Sequence, residues 1–144
     1  MSCDIRIAST DSVFSIPAAR LGLGYRYSAL KNLVDLVGTA MAKDLFFTAR
    51  RIDAKEARDI GLITRVCEPG DLAALQAEYK QALATNAPLT VRAGKAIIAE
   101  VLKASPEIDY DKCRQVIREC FDSEDYSEGR RAFMEKRKPV FRGK

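Results

Sequence analysis

The sequence contains no histidine. That absence removes Ser-His-Asp and Cys-His nucleophilic machinery from this chain, together with the commonest metal ligand. Any general acid or base must then be a carboxylate, a lysine, a tyrosine or a cysteine. Cysteine is sparse. Cys3, Cys67, Cys113 and Cys120 form no C-x-x-C pair, which argues against a zinc site or a dithiol redox centre. Cys113 and Cys120 lie two helical turns apart and are expected on one buried face. No apolar run approaches the roughly 20 residues that span a bilayer. Met1-Ser2 leads straight into charged, strand-like sequence, so no signal peptide is expected. Aromatic residues are not spaced as a stacking platform, so nucleic acid is not an expected partner. These absences together lead us to expect a soluble, cytoplasmic protein with no membrane partner.

What is present describes a globular chain: 47% hydrophobic and 31% charged residues over 144 positions. The net charge of +4 is concentrated near one end. From Glu124 to Lys144 seven bases oppose four acids, which accounts for +3 of it. Such a patch is either a solvated helix face or a docking surface for a phosphorylated ligand.

Residues 3–8, CDIRIA, alternate and predict a half-buried strand, and Val13–Ile16 predicts a second one ended by Pro17. Helical pattern runs from about Ser28 to Val37. Gly38 breaks it, and a further helix follows near Ala40–Phe47. Asp53 with Glu56 three residues on makes a capping-box start, and Gly61 supplies the stop. Leu62–Cys67 predicts a third strand. The remainder is helical: Asp71–Thr85 with Leu72, Leu75, Tyr79, Ala82 and Leu83 inward, Pro88 to about Ala104, and Tyr110–Phe121 with Cys113, Val116, Ile117 and Cys120 inward. A last helix, capped by Ser123, is expected to end near Lys138-Pro139. Three short strands make a poor free-standing sheet. We therefore expect an α/β piece truncated at its N-terminus, with apolar faces left wet. The alternative is a small α+β domain.

The order of these features resembles the crotonase superfamily, the enoyl-CoA hydratases and isomerases. The resemblance rests on CDIRIAS at 3–9, F-S-I-P at 14–17, LG at 21–22, LFFTARRIDAKEARDIGLITRV at 45–66 and DYSEGRRAFMEKRKPVF at 125–141. It implies a spiral of ββα units whose last part is residues 1–68, followed by a helical trimerisation region over 69–144. It further implies chemistry through a thioester enolate held by two backbone N–H groups. Those donors lie upstream of CDIRIAS in the family, so this chain by itself lacks the oxyanion hole. The substrate would be an acyl-CoA thioester, with no separate cofactor and no metal. The partners would be further copies, as a trimer or a dimer of trimers, or a full-length relative.

Hydratases of the family work with paired glutamates, one of which follows the proline of the F-x-x-P strand. Here that position is Ala18, which carries no proton. The segment LGLGYRYSAL, with FTA and SEDYSEG, looks closer to the methylmalonyl-CoA decarboxylase branch. In that branch a tyrosine at the position of Tyr25 lies near the substrate carboxylate. Tyr25 is thus the candidate catalytic residue, its alternative being a half-buried loop tyrosine, and Arg26 is either a carboxylate clamp or an exposed loop arginine. By the same resemblance Phe133 packs near the adenine of a neighbouring subunit's coenzyme A and Lys136 meets a phosphate. Three apart, they are expected on one helix face. Glu128 and Gly129 are expected to fix helix packing. Three functions follow: an acyl-CoA enzyme of this superfamily, a decarboxylase of malonyl-type thioesters, or a non-catalytic oligomerisation fragment.

Overall fold

The computed structural model describes residues 3–144. The chain forms two compact units, residues 1–77 and 78–144.

The first unit holds four short strands in two pairs rather than three strands in one sheet. β1 (Ile7–Ser9) runs parallel to β4 (Arg65–Cys67), with Ala8 opposite Val66. β2 (Val13–Phe14) runs antiparallel to β3 (Ile52–Asp53), with Phe14 opposite Ile52. The strand expected over 3–8 therefore starts later. β4 supplies partners only from Arg65 onward, so Cys3 and Ile5 stay exposed and unladdered. The strand expected from Leu62 is shortened in the same way. Gly61 turns the chain at φ 80°, and Ile63 N–H bonds back to Ala57 O at 3.1 Å before the strand begins. β3 was not legible, because its Asp53 doubles as a helix cap.

Helices fill in between. α1 (Ala18–Leu21) is one turn, closed by Gly22 in the left-handed region at φ 63°. α2 (Tyr27–Thr48) is two helices joined at Gly38, whose φ of 76° and ψ of 164° break the hydrogen-bond ladder where the pattern predicts. α3 (Ala54–Asp59) begins at Asp53, whose carboxylate accepts Glu56 N–H at 2.7 Å. The capping box is only half made. The Glu56 side chain turns to Arg50 instead, at 2.6 and 3.0 Å, and Arg50 also reaches Asp44 at 2.7 Å. Ala54 and Ala57 are fully buried, which lets α3 sit close against Leu33, Leu45 and Ile52 in the core.

A 3₁₀ turn (Pro69–Asp71) leads into α4 (Leu72–Thr85), of which Leu75 is buried while Leu83 lies exposed, against expectation. The second unit takes in α4 from Glu78 on, then α5 (Pro88–Val101), α6 (Tyr110–Phe121) and α7 (Glu124–Met134). Asp109 caps α6 through Lys112 N–H at 2.8 Å, and Ser123 caps α7 through Tyr126 N–H at 3.0 Å. α6 and α7 bury little apolar surface: Ile117, Phe121, Phe133 and Met134 are all exposed.

Leu33 is the largest fully buried side chain. Leu33→Ala is expected to cost about 3 kcal/mol in urea unfolding through the cavity it leaves. Leu21→Ala, at an exposed position, should stay within about 0.5 kcal/mol. Equal costs at the two positions would contradict this core assignment.

Candidate functional site

The loop between β2 and α2 carries the first set of candidate residues. Pro17 precedes α1 and fixes the entry, and Ala18 follows with no exposed surface at all. Leu23 N–H bonds back to Ala18 O at 3.0 Å, so the loop folds tightly over this alanine. Tyr25 lies at the loop's end, part exposed, with its ring edge-on to Phe46 at 5.3 Å and 76°. It lines a cavity of about 430 Å³ walled by Phe14, Ile16, Leu33, Leu45 and Ile63. Arg6 and Ser15 are the other polar members of the lining, and the phenol is the one hydroxyl of an aromatic side chain there. Arg26 caps α2 through its backbone carbonyl, which accepts Ala29 N–H at 3.1 Å, and its side chain is exposed.

The second set lies in the other unit. Phe133 is 83% exposed on the last turn of α7. The helix ends at Met134, four residues earlier than the expected Lys138, and Glu135 is its C-cap. Lys136 therefore does not share a helix face with Phe133. It stands one residue past the cap at φ 53°, with Arg137 N–H returning to Ala132 O at 3.0 Å. The left-handed region favours glycine, and a side chain there costs roughly 1 kcal/mol or more. Ala49 takes the same left-handed conformation at the end of α2, at φ 48°. The Lys136 ammonium is exposed, and among the described residues no carboxylate pairs with it.

The acids of α7 are committed to structure. Glu128 accepts from Arg137 at 2.6 and 2.9 Å, from Arg131 at 2.5 Å and from Val140 N–H at 3.1 Å. These donors, Arg137 foremost, hold its carboxyl well below the usual range. The Phe141 ring packs beside Gly129, 3.5 Å from where a Cβ would stand, a distance that a side-chain carbon would also tolerate. Among the described residues no cluster of cysteines and acids is built to hold a metal ion, and no helix is long and apolar enough to cross a membrane.

The model of the enoyl-CoA hydratase/isomerase family matches residues 1–144. The chain belongs to this family. It is 38% identical over 138 residues to a short-chain-enoyl-CoA hydratase of Clostridium acetobutylicum, covering 96% of this chain and 53% of that one. It is 34% identical over 149 residues to a methylmalonyl-CoA decarboxylase of Escherichia coli, covering 99% and 56%. The crystal structure of an enoyl-CoA hydratase from Bacillus anthracis superposes with a TM-score of 0.91 at 30% identity, covering 99% of this chain and 55% of that one. The chain thus spans about half the length of these relatives, and it has the crotonase fold over that span.

Two buried acids of this family member escaped the sequence reading. Asp125 is only 4% exposed and accepts two backbone N–H groups from the chain beyond α7. Glu100 is buried in α5, held by Lys103 at 2.7 Å, Asp109 N–H at 3.1 Å and Lys112 at 3.3 Å. The signal for Glu100 was its place on the inward stripe of Ala93 and Ile97, at helical spacing. Lys103, then the Asp109 amide, pulls the Glu100 carboxyl down from 4.5 to about 2, against the opposing effect of burial. Its contribution to stability is therefore complete above the ordinary value of 4.5 and is lost as pH falls toward about 2. Glu100→Gln should lower the thermal midpoint at neutral pH and shrink the fall between about pH 5 and pH 3. An unchanged acid profile in Glu100→Gln would contradict the assignment.

Proposed function

We propose that this protein acts on acyl-CoA thioesters through the thioester enolate, and that it forms the enolate by a route needing no acid at residue 18. The observation that carries this reading is the pairing of a fully buried Ala18 with Tyr25 on the wall of the apolar cavity. Hydration by paired carboxylates requires one group to activate water and another to protonate carbon. An alanine does neither.

Decarboxylation is the simplest reaction compatible with this loop. The bond between the α-carbon and the carboxylate breaks, carbon dioxide leaves, and the electron pair passes into the thioester carbonyl. No base is needed to generate the enolate, which then takes a proton at carbon from water, leaving a hydroxide that the released carbon dioxide takes up as bicarbonate. The Tyr25 hydroxyl is assigned to donate to the substrate carboxylate and to hold it out of the thioester plane, the orientation in which its bond to the α-carbon can break. The oxyanion donors of the family lie outside the stretch this chain matches, and the proposal takes them as supplied by the complete site. Similarity to both a hydratase and a decarboxylase supports the acyl-CoA class, and Ala18 favours the second chemistry over the first.

Phe133 and Lys136 are assigned to the coenzyme A moiety, the ring stacking near the adenine and the ammonium meeting a phosphate. The cost of a left-handed lysine supports a ligand role at that corner. The helical part, residues 69–144, is assigned to assembly as a trimer or a dimer of trimers. A second reading, a non-catalytic interaction module, draws on the exposed Ile98, Val101, Phe133 and Met134. Sedimentation distinguishes it, since a folded monomer that binds no partner leaves that reading without support.

The direct test is turnover of methylmalonyl-CoA against crotonyl-CoA. Release of carbon dioxide from the first without hydration of the second is expected. Hydration of crotonyl-CoA at a comparable rate would overturn the assignment. Tyr25→Phe should lower kcat for decarboxylation by roughly tenfold to a hundredfold, the worth of a hydrogen bond to a charged group. Lys136→Gln should raise KM with kcat little changed, as expected for a contact equal in ground and transition states.

A further inference from the structure

After α7 the chain reverses at Lys136 and runs back along the helix in the opposite direction. The return is pinned by two carboxylates of α7, three residues apart and hence on one face. Glu128 Oε1 accepts Val140 N–H at 3.1 Å. Asp125 Oδ1 accepts Arg142 N–H at 2.6 Å, and its Oδ2 accepts Gly143 N–H at 2.7 Å. Asp125 N–H in turn donates to Lys144 O at 3.3 Å. The Phe141 ring packs beside Gly129, and Gly143, at φ 76°, brings the chain against the Pro88 ring. The strap is otherwise open to solvent: Val140, Arg142 and Lys144 are exposed.

We propose that residues 140–144 are a latch, docked on α7 by Asp125 and Glu128, whose closure sets the corner at which Lys136 is presented to its anionic ligand. The ligand half of this inference rests on the coenzyme A reading above; the latch half does not. An exposed segment held by a few backbone amides on two side chains opens at far lower free energy than the helix beneath it. Each N–H bond it makes is charge-assisted, so closure depends on the carboxylates as well as on the half-buried Phe141 ring. When the latch opens, Glu128 gives up Val140 N–H and is left to its arginines, so the corner of Lys136 rests on Arg137, through Glu128 and through the bond from Arg137 N–H to Ala132 O, and holds its left-handed conformation less firmly. Ligand affinity then follows the fraction of molecules in the closed state.

The test uses the full chain, residue-resolved amide exchange and calorimetric titration with coenzyme A. In the unaltered protein the Arg142 and Gly143 amides should be protected. Asp125→Asn, which withdraws the charge and one acceptor, should speed exchange at both by roughly tenfold or more and leave Leu33 unchanged. Asp125 also lies in the first turn of α7, so Gly143→Ala serves as the second variant. It leaves every acidic group in place and strains only the strap at its positive φ, and it should give the same two effects. Coenzyme A affinity should weaken severalfold in both variants. Unprotected amides in the unaltered protein, or exchange unmoved by both variants, overturns the latch. Faster exchange with unaltered coenzyme A affinity overturns its role in presenting Lys136. If the unaltered protein binds no coenzyme A, the ligand reading falls, and the exchange rates alone decide for or against the latch.

Discussion

The interaction on which this structure most depends is the backbone N–H donated to a carboxylate. At five places where helix or strand stops, or the chain returns, an acidic side chain collects amides that regular structure leaves over. Asp53 does so for Glu56, Asp109 for Lys112, Glu100 for Asp109, Glu128 for Val140, and Asp125 for Arg142 and Gly143. The need is physical. With two two-stranded pairs as its only sheets among the described residues, the chain has few ladder bonds for its non-helical backbone. A charged acceptor is roughly twice as strong as a neutral one, so a handful of acids holds together segments that bury little.

Apolar packing is unequal between the two units, and the acids compensate where it is weakest. In the first unit Leu33, Leu45 and Ile52 pack around alanines that allow close approach. In the second, the buried set includes Glu100, Ser123 and Asp125 beside Ala93 and Ala132, while Phe121, Phe133 and Met134 face outward. A unit whose interior is this polar owes its shape to satisfied hydrogen bonds. Among the described residues no buried side-chain nitrogen or oxygen lacks a partner, which is the condition for such an arrangement to be stable.

Local signals were legible in the sequence, and long-range ones were not. Gly38, Pro88, Asp53, Ser123 and Gly61 each announced a break, a start or a stop, because each acts within three or four residues of itself. The pairing of Phe14 with Ile52 could not be read, since it joins residues far apart in sequence through a strand of only two residues. The end of α7 was misplaced because Lys136 adopts a conformation its side chain disfavours, and residue preference alone argues for continuation. The segment DYSEGRRAFMEKRKPVF was legible as a family signature. That its first aspartate grips the amides of Arg142 and Gly143 was not, because no spacing rule connects a helix's first turn to a returning strap. At the candidate site, Ala18 and Tyr25 were found from the resemblance, and the cavity beside Tyr25 required the fold.

The account of function rests on two features that differ in kind. Ala18 acts by what it cannot do, since it removes an acid and so narrows the chemistry. Lys136 stands in an unfavourable backbone conformation with its charge exposed, and the proposal gives that charge a phosphate to meet. The most direct measurement is a titration of coenzyme A into isotope-labelled protein, followed by its amide spectrum. The account requires saturable shifts concentrated over residues 132–137. A spectrum unmoved by coenzyme A, or moved only at residues remote from Phe133 and Lys136, would contradict it.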